Sequence, residues 1–173
     1  DRTSLRRIRR IVHHIYDDLG MRDQRRTNYL CFTYDPEVAK DVGTAYSDKL
    51  LTSLTKVQDV FYTIEWNEQK KDWHLDSRRV EEAMDRFEAS GRPFRLLGFP
   101  AHTWDVLNEV VARRGKAYKF GPLSYVITGG GWKGFDGRAI PKPEFREGVA
   151  RALGIPRDNV RDLYGMVEHG VPY

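Results

Sequence analysis

From residue 76 to residue 163 the sequence alternates between helical stripes and short apolar runs. Apolar residues at helical spacing predict three helices, which end before Gly91, Gly115 and Gly154. Three apolar runs of strand length lie between and after them, at residues 94–97, 123–128 and 160–163. Helices that alternate with short strands are typical of βαβ units. The pattern predicts an α/β domain with a largely parallel sheet and helices on both faces.

The first 75 residues predict further elements of the same kind. Residues 5–19 carry apolar side chains at helical spacing, and Gly20 is a typical stop signal. Residues 28–34 are rich in aromatic and apolar side chains, and residues 60–66 alternate with the period of a strand. Asp35-Pro36-Glu37 is a typical helix start, and residues 67–73 are expected to form a charged turn or excursion.

The composition excludes several classes of protein. The chain has 173 residues, 40% of them hydrophobic, which suits one globular domain over residues 1–173. Cys31 is its single cysteine, so no disulfide can form within the chain, and a reducing cytoplasm is expected. No apolar run has the length of a membrane span. The net charge of +4 is mild and comes without a nucleic-acid-binding motif, so no nucleic-acid partner is expected.

Three consecutive glycines, Gly129, Gly130 and Gly131, follow the predicted strand 123–128. Glycine allows a positive φ and lets a ligand approach the backbone closely. In open α/β sheets, ligands bind beyond the carboxyl ends of the strands. Trp132 and Lys133 flank the loop and bring an aromatic ring and a positive charge. A flexible turn explains the glycines equally well, because neither a dinucleotide fingerprint nor a phosphate-binding P-loop is present.

A second unusual stretch, residues 164–170, follows the last predicted strand. Tyr164 precedes Gly165, which places an aromatic wall beside bare backbone. Glu168 offers a hard oxygen ligand of the kind that Mg²⁺ prefers. An ordinary turn with an exposed acid is the alternative interpretation. Both stretches lie at predicted strand ends, so we expect them to lie close together; the resemblance described next implies that they form one nucleotide site.

Residues 164–168 resemble the Tyr-Gly-x-Thr-Glu motif of the adenylate-forming superfamily, which includes acyl-CoA synthetases and firefly luciferase. The longer strings at residues 127–134 and 159–173 are similar to the acyl-protein synthetase (LuxE-type) family. Gly98-Phe99-Pro100 also fits a substrate-side loop of the superfamily. The resemblance covers most of the chain and is dense from about residue 93 onward.

The resemblance implies that the chain is part of the large N-terminal domain of an adenylate-forming enzyme. Such enzymes use ATP and Mg²⁺ to convert a carboxylic acid into an acyl-adenylate. In this family the acyl group of a fatty acid then passes to a cysteine of the synthetase. From there it reaches a reductase partner that makes the aldehyde used in bacterial bioluminescence.

The same resemblance implies roles for individual residues. Residues that would contact the nucleotide are Gly129, Gly130, Gly131, Tyr164 and Gly165. Residues that would line the acyl pocket are Gly98, Phe99 and Trp132. Glu168 would hold Mg²⁺.

Some features depart from the family pattern. Val167 stands where threonine is usual. The phosphate loop and the C-terminal domain with the acceptor cysteine are expected outside residues 1–173, so we interpret the chain as a fragment that is inactive alone. Cys31, in a predicted buried strand, is a poor acceptor. Two alternatives stay open: an acyl-CoA synthetase similar to phenylacetate-CoA ligase, and a non-catalytic domain of this fold that binds a partner.

Overall fold

A computed structural model describes residues 2–35, 49–68, 71–132, 135–163, 165–166 and 171–172. The main strands are β1 (Thr27–Tyr34), β2 (Val57–Asn67), β3 (Asp72–Leu75), β4 (Phe94–Gly98), β5 (Tyr125–Gly129) and β6 (Val160–Leu163). The helices are α1 (Arg2–Asp18), α2 (Ser77–Ala89), α3 (Pro100–Arg114) and α4 (Lys142–Leu153), with short 3₁₀ turns at Asp136–Arg138 and Arg157–Asn159. Two short strands, β7 (Gly165–Met166) and β8 (Val171–Pro172), form a separate antiparallel pair.

Six strands form one sheet in the order β3-β2-β1-β4-β5-β6. All neighbouring pairs are parallel except β2 and β3, so the predicted largely parallel α/β sheet is confirmed. The chain starts in the centre, builds outward to β3, and then crosses to the other side of β1 for β4, β5 and β6. The parallel strands therefore end at one edge of the sheet, which we call the carboxyl edge. Ligands of open α/β sheets bind at this edge.

Strand β1 shows why helices cover both faces. Its side chains alternate between the faces. Leu30 and Phe32 pack with the apolar sides of α2, α3 and α4, whereas Tyr29 and Cys31 pack with α1 and Met21. The thiol of Cys31 is thus fully buried, as the strand pattern predicts.

The helix ends follow the predicted signals. The carboxylate of Asp76 accepts a hydrogen bond from the backbone N–H of Arg78 at 2.9 Å and caps α2. Gly115 and Gly154 end α3 and α4 with φ values of +72° and +63°, in the left-handed region that glycine tolerates best. Local sequence therefore determines where these helices begin and end.

The prediction for residues 67–73 is partly wrong, because residues 72–75 form strand β3. This strand pairs antiparallel with β2, so Trp66 lies opposite Trp73 with ring centroids 5.2 Å apart. Tyr34 packs edge-on against Trp73 at 4.5 Å. Such cross-strand aromatic pairs stabilise a hairpin. The charged residues around the turn predict a loop instead, so the sequence pattern does not reveal the pairing. The predicted helix start at residues 35–37 lies largely outside the described residues.

The strand predicted at residues 123–128 is shifted and runs from Tyr125 to Gly129. Leu123 is exposed, and the hydroxyl of Ser124 caps the preceding turn by donating to the carbonyl of Phe120 at 2.9 Å. Among the described residues, no helix combines the length and the apolar character needed to cross a bilayer.

Candidate functional site

Three neighbouring strands end at the carboxyl edge of the sheet. Gly98 at the end of β4 pairs with Thr128 of β5, and Gly129 pairs with Leu163 of β6. The carboxyl ends of β4, β5 and β6 therefore lie side by side, and the loop that starts at Phe99 and the glycine loop leave the sheet next to each other. The sequence predicts that the glycine loop and residues 164–170 form one site. The strands that precede them are neighbours, but residues 164 and 167–170 lie outside the described chain, so this stays a prediction.

Gly98 allows β4 to lie close to β1. Its φ of +149° belongs to the region that favours glycine, and a Cβ at this position would lie 2.5 Å from Cβ of Phe32. Any side chain here would push the two central strands apart. The place of Gly98 in the fold is thus a close backbone contact with β1.

The three loop glycines have different surroundings. A Cβ on Gly129 would lie 3.2 Å from the carbonyl oxygen of Leu163, and a Cβ on Gly130 would lie 2.7 Å from Cε1 of Phe99. Gly130 and Gly131 have positive φ values of 78° and 64°. A Cβ on Gly131 would meet nothing within 4 Å. Of the three, Gly131 is therefore the position that faces open space.

One cavity beside the loop, which we call the histidine pocket, has a volume of about 260 Å³. Its lining consists of Phe99, Ala101, His102, Gly130, Gly131 and Phe135. The imidazole of His102 contacts both rings edge-on, with centroid distances of 6.2 Å to Phe99 and 5.7 Å to Phe135. Two aromatic rings thus flank the imidazole, and all three side chains line the same cavity as the backbone of Gly130 and Gly131.

The electrostatic surroundings of His102 favour the neutral imidazole. Burial lowers the pKa of His102 below its usual value, because desolvation penalises the charged form. Asp105, one helical turn further along α3, acts in the opposite direction with a smaller effect. The carboxylate of Asp105 is itself engaged by Arg138 at 3.2 Å. A neutral imidazole can donate one hydrogen bond and accept another.

A second cavity, which we call the basic pocket, lies on the other side of Gly131 and has a volume of about 150 Å³. Its apolar lining consists of Pro100, Trp132, Ile140, Phe145 and Val160, and its polar lining of Thr128, Lys142, Arg146, Arg161 and Asp162. Lys142 pairs with Asp162 at 2.9 Å, and Arg146 pairs with Asp158 at 3.0 Å. Within the described chain, the buried Nε of Arg146 has no hydrogen-bond partner. In the described part of its lining, the pocket therefore combines apolar side chains with three cationic side chains and the carboxylate of Asp162.

The structure separates residues that the resemblance assigned to one acyl pocket. Phe99 lines the histidine pocket, whereas Trp132 lines the basic pocket and packs edge-on against Phe145 with ring centroids 6.1 Å apart. Gly98 lies within the sheet against Phe32. Tyr164 and Glu168 lie outside the described residues, and of Gly165 only the backbone is described, in β7. The described part of the chain contains no cluster of three or more His, Cys, Asp or Glu side chains that could hold a metal ion.

Sequence reasoning missed four residues of this edge, namely His102, Lys142, Arg146 and Arg161. His102 follows Pro100 of the segment 98–100 by two positions, and Arg161 lies within the string 159–173, so both stand in or beside stretches that the sequence singles out. Lys142 and Arg146 belong to α4, which only the tertiary structure brings beside the glycine loop.

A search of curated proteins finds no match to this chain. Residues 1–171 match the family model described as "Acyl-protein synthetase, LuxE", and acyl-protein synthetases are ligases. The match spans nearly the whole sequence, including both cavities and the segment around Tyr164. The chain therefore belongs to the LuxE acyl-protein synthetase family.

Proposed function

We propose that this chain supplies the site where an acyl-protein synthetase converts a fatty acid and ATP into an acyl-adenylate and pyrophosphate. The observation that carries the proposal is that Gly131 lines both the histidine pocket and the basic pocket. Adenylation requires the carboxylate of the acid to meet the α-phosphorus of ATP. Two pockets of different chemical character that both border Gly131 would place the carboxylate of the acid next to the α-phosphate of ATP.

The basic pocket suits the nucleotide. Its apolar residues, Trp132 and Phe145 among them, can cover a purine, while Lys142, Arg146 and Arg161 can neutralise phosphate oxygens. The chemistry of the lining residues therefore fits an adenosine phosphate. Tyr164 and Gly165, which follow Arg161 closely in sequence, would extend this pocket along the nucleotide.

The histidine pocket suits the acid. Phe99 and Phe135 provide apolar walls, and the backbone of Gly131, where a Cβ would meet nothing within 4 Å, allows close approach. A carboxyl group in this pocket would lie beside Gly131 and so beside the nucleotide. A longer acyl chain would extend beyond the 260 Å³ of the pocket.

The chemical step of adenylation needs few catalytic groups from the protein. One carboxylate oxygen attacks the α-phosphorus, the bond from that phosphorus to the bridging oxygen breaks, and pyrophosphate leaves with the electron pair. No strong base is needed, so the residues act by positioning and by neutralising charge. Mg²⁺ would supply further neutralisation of the phosphates, and Glu168 stays the predicted ligand.

Transfer of the acyl group and the reductase partner are proposed from family membership alone. Transfer of the acyl group to a protein cysteine, and onward to a fatty acid reductase, is what the LuxE family implies. A cytoplasmic location is proposed because the chain has a single cysteine. Cys31 is fully buried beneath α1, which makes it unsuitable as the acceptor. The acceptor is expected elsewhere in the enzyme.

The experiment is ATP–pyrophosphate exchange by the intact protein with octanoate, tetradecanoate or phenylacetate. Exchange that depends on a fatty acid supports the proposal. Exchange with phenylacetate alone would favour an enzyme similar to phenylacetate-CoA ligase. A folded protein that exchanges with none of these acids would contradict the proposal and favour a partner-binding domain.

Two variants localise the activity. Arg161→Ala removes a cation from the basic pocket and is expected to weaken ATP binding about tenfold, in the range of one charged hydrogen bond. Arg157→Ala is the matched control, because Arg157 is exposed and does not line the pocket.

Glu168→Gln is expected to reduce exchange and to leave folding intact; unchanged exchange would remove Glu168 from the magnesium role.

A further inference from the structure

Among the residues that the structure describes, His102 is the single ionisable side chain in the lining of the histidine pocket. Its neighbours there are two aromatic rings, one alanine and two glycines, which offer no other side-chain polar group to a ligand. A ligand that carries a carboxyl group into this pocket would bring its own charge into apolar surroundings. Such a charge needs a hydrogen-bonding partner, because an unpaired buried carboxylate is costly.

We propose that His102 receives the carboxyl group of the acid substrate, and that the imidazole takes up a proton from solvent as the carboxylate binds. This inference rests on the proposed function and assigns a binding role in it to a residue that the family motif does not include. The carboxylate accepts a hydrogen bond from the imidazolium, and no covalent bond changes in this step. Acid binding is thus proton-linked.

The groups around His102 support this linkage. Burial favours the neutral imidazole, and the carboxylate of Asp105, which lies 3.2 Å from Arg138, opposes this with a smaller effect. Phe99, Gly130, Gly131 and Phe135, which face the ring from the neighbouring loops, are uncharged. The Lys133 residue and the Asp136 side chain lie outside the described structure.

A bound carboxylate would raise the pKa of His102, because an opposite charge nearby favours the imidazolium. The complex then binds more protons than the free protein between the two pKa values. Affinity for the acid is therefore expected to fall as pH rises through the pKa of the complex, and to level off above it. A ligand of the same shape without the carboxylate has no such dependence.

The test is isothermal titration calorimetry of octanoate and 1-octanol with the intact protein, near pH 7, in two buffers of different ionisation enthalpy. Octanoate binding is expected to take up a fraction of a proton, and octanol binding none. In His102→Gln, uptake should vanish and octanoate affinity should fall about tenfold. The matched control is His74→Gln, since His74 is an exposed histidine on β3, away from the pocket.

Proton uptake and octanoate affinity that survive in His102→Gln would overturn the inference. If the His102→Gln variant also keeps fatty-acid-dependent ATP–pyrophosphate exchange, the proposed adenylation function stands and only the role of His102 is refuted. Failure of the wild-type protein to bind octanoate, tetradecanoate or phenylacetate would overturn both. An NMR titration of His102 in the wild-type protein gives a check that does not depend on a variant: saturating octanoate should raise its pKa, and an unchanged or lower pKa would refute the inference.

Discussion

Gly130 lies against the ring of Phe99, so that a Cβ on this glycine would stand 2.7 Å from Cε1 and 2.9 Å from Cδ1 of the ring. The contact joins the loop after β5 to the loop after β4, and both residues line the histidine pocket. A substitution at Gly130 therefore acts first on the pocket wall. Gly131, where a Cβ would meet nothing, is the glycine that leaves room for a ligand.

Gly130→Ala is expected to displace the Phe99 ring and to strain a backbone with φ of +78°. We predict a loss of about 1–2 kcal/mol in the free energy of unfolding and weaker octanoate binding. Denaturant unfolding and calorimetry measure the two effects. Gly137→Ala is the control, because a Cβ there meets nothing and its φ is ordinary. In the double variant, Phe99→Leu should recover part of the lost free energy of unfolding. No recovery would show that contact with the Phe99 ring is not the cause of the loss.

Gly115 and Gly154 allow a test of helix ends in two different environments. Both have φ near +70° at a helix C-terminus, but a Cβ on Gly154 would collide with the carbonyl oxygen of Tyr118, whereas one on Gly115 meets nothing. Gly115→Ala should cost about 1 kcal/mol of unfolding free energy through strain alone. Gly154→Ala should cost about 3 kcal/mol or more. Equal losses in urea unfolding would show that the collision relaxes freely.

Arg95 is a buried cation on β4, at the end of the sheet remote from the two pockets. It is 2% exposed, its guanidinium stacks on Tyr125 at 5.0 Å, and it donates to the carbonyls of Phe94 and Leu123. Its Nε has no hydrogen-bond partner in the described chain, and burial lowers its pKa.

Replacement of Arg95 should separate the effect of its charge from that of its volume. Arg95→Met keeps much of the volume and removes the desolvated charge, so the free energy of unfolding should change by less than about 1 kcal/mol. Arg95→Ala leaves a cavity and should cost about 3 kcal/mol. Thermal and denaturant unfolding compare the variants. A methionine variant as unstable as the alanine variant would mean that the carbonyl contacts of the guanidinium dominate.

The lowered pKa of His102 predicts a dependence of stability on pH. In the unfolded chain the histidine has its ordinary pKa, so between the two values the unfolded state binds more protons. The free energy of unfolding should therefore fall as pH decreases from the ordinary pKa through the lowered one, by at most about 1.4 kcal/mol per pH unit. His102→Gln should flatten this part of the profile. The same slope in both proteins would show that other groups cause it.

Much of the fold follows from local sequence. The Asp76 cap and the glycines after α3 and α4 lie where their residue types predict, because capping depends on nearest neighbours. The hairpin that holds Trp73 does not follow from local sequence, because its stability comes from contacts with Trp66 and Tyr34. Charged residues around the turn predict a loop, and pairing across strands overrides that signal.

The sequence by itself determined the α/β class, the buried state of Cys31 and the place of the glycine loop at a strand end, since periodicity and glycine content act locally. Only the tertiary structure decided which residues share a cavity. Strand order brings β4, β5 and β6 together, and α4 then places Lys142 and Arg146 on one side of Gly131 while α3 places His102 on the other. Contacts between residues far apart in sequence depend on how strands pair, and no local pattern encodes that pairing.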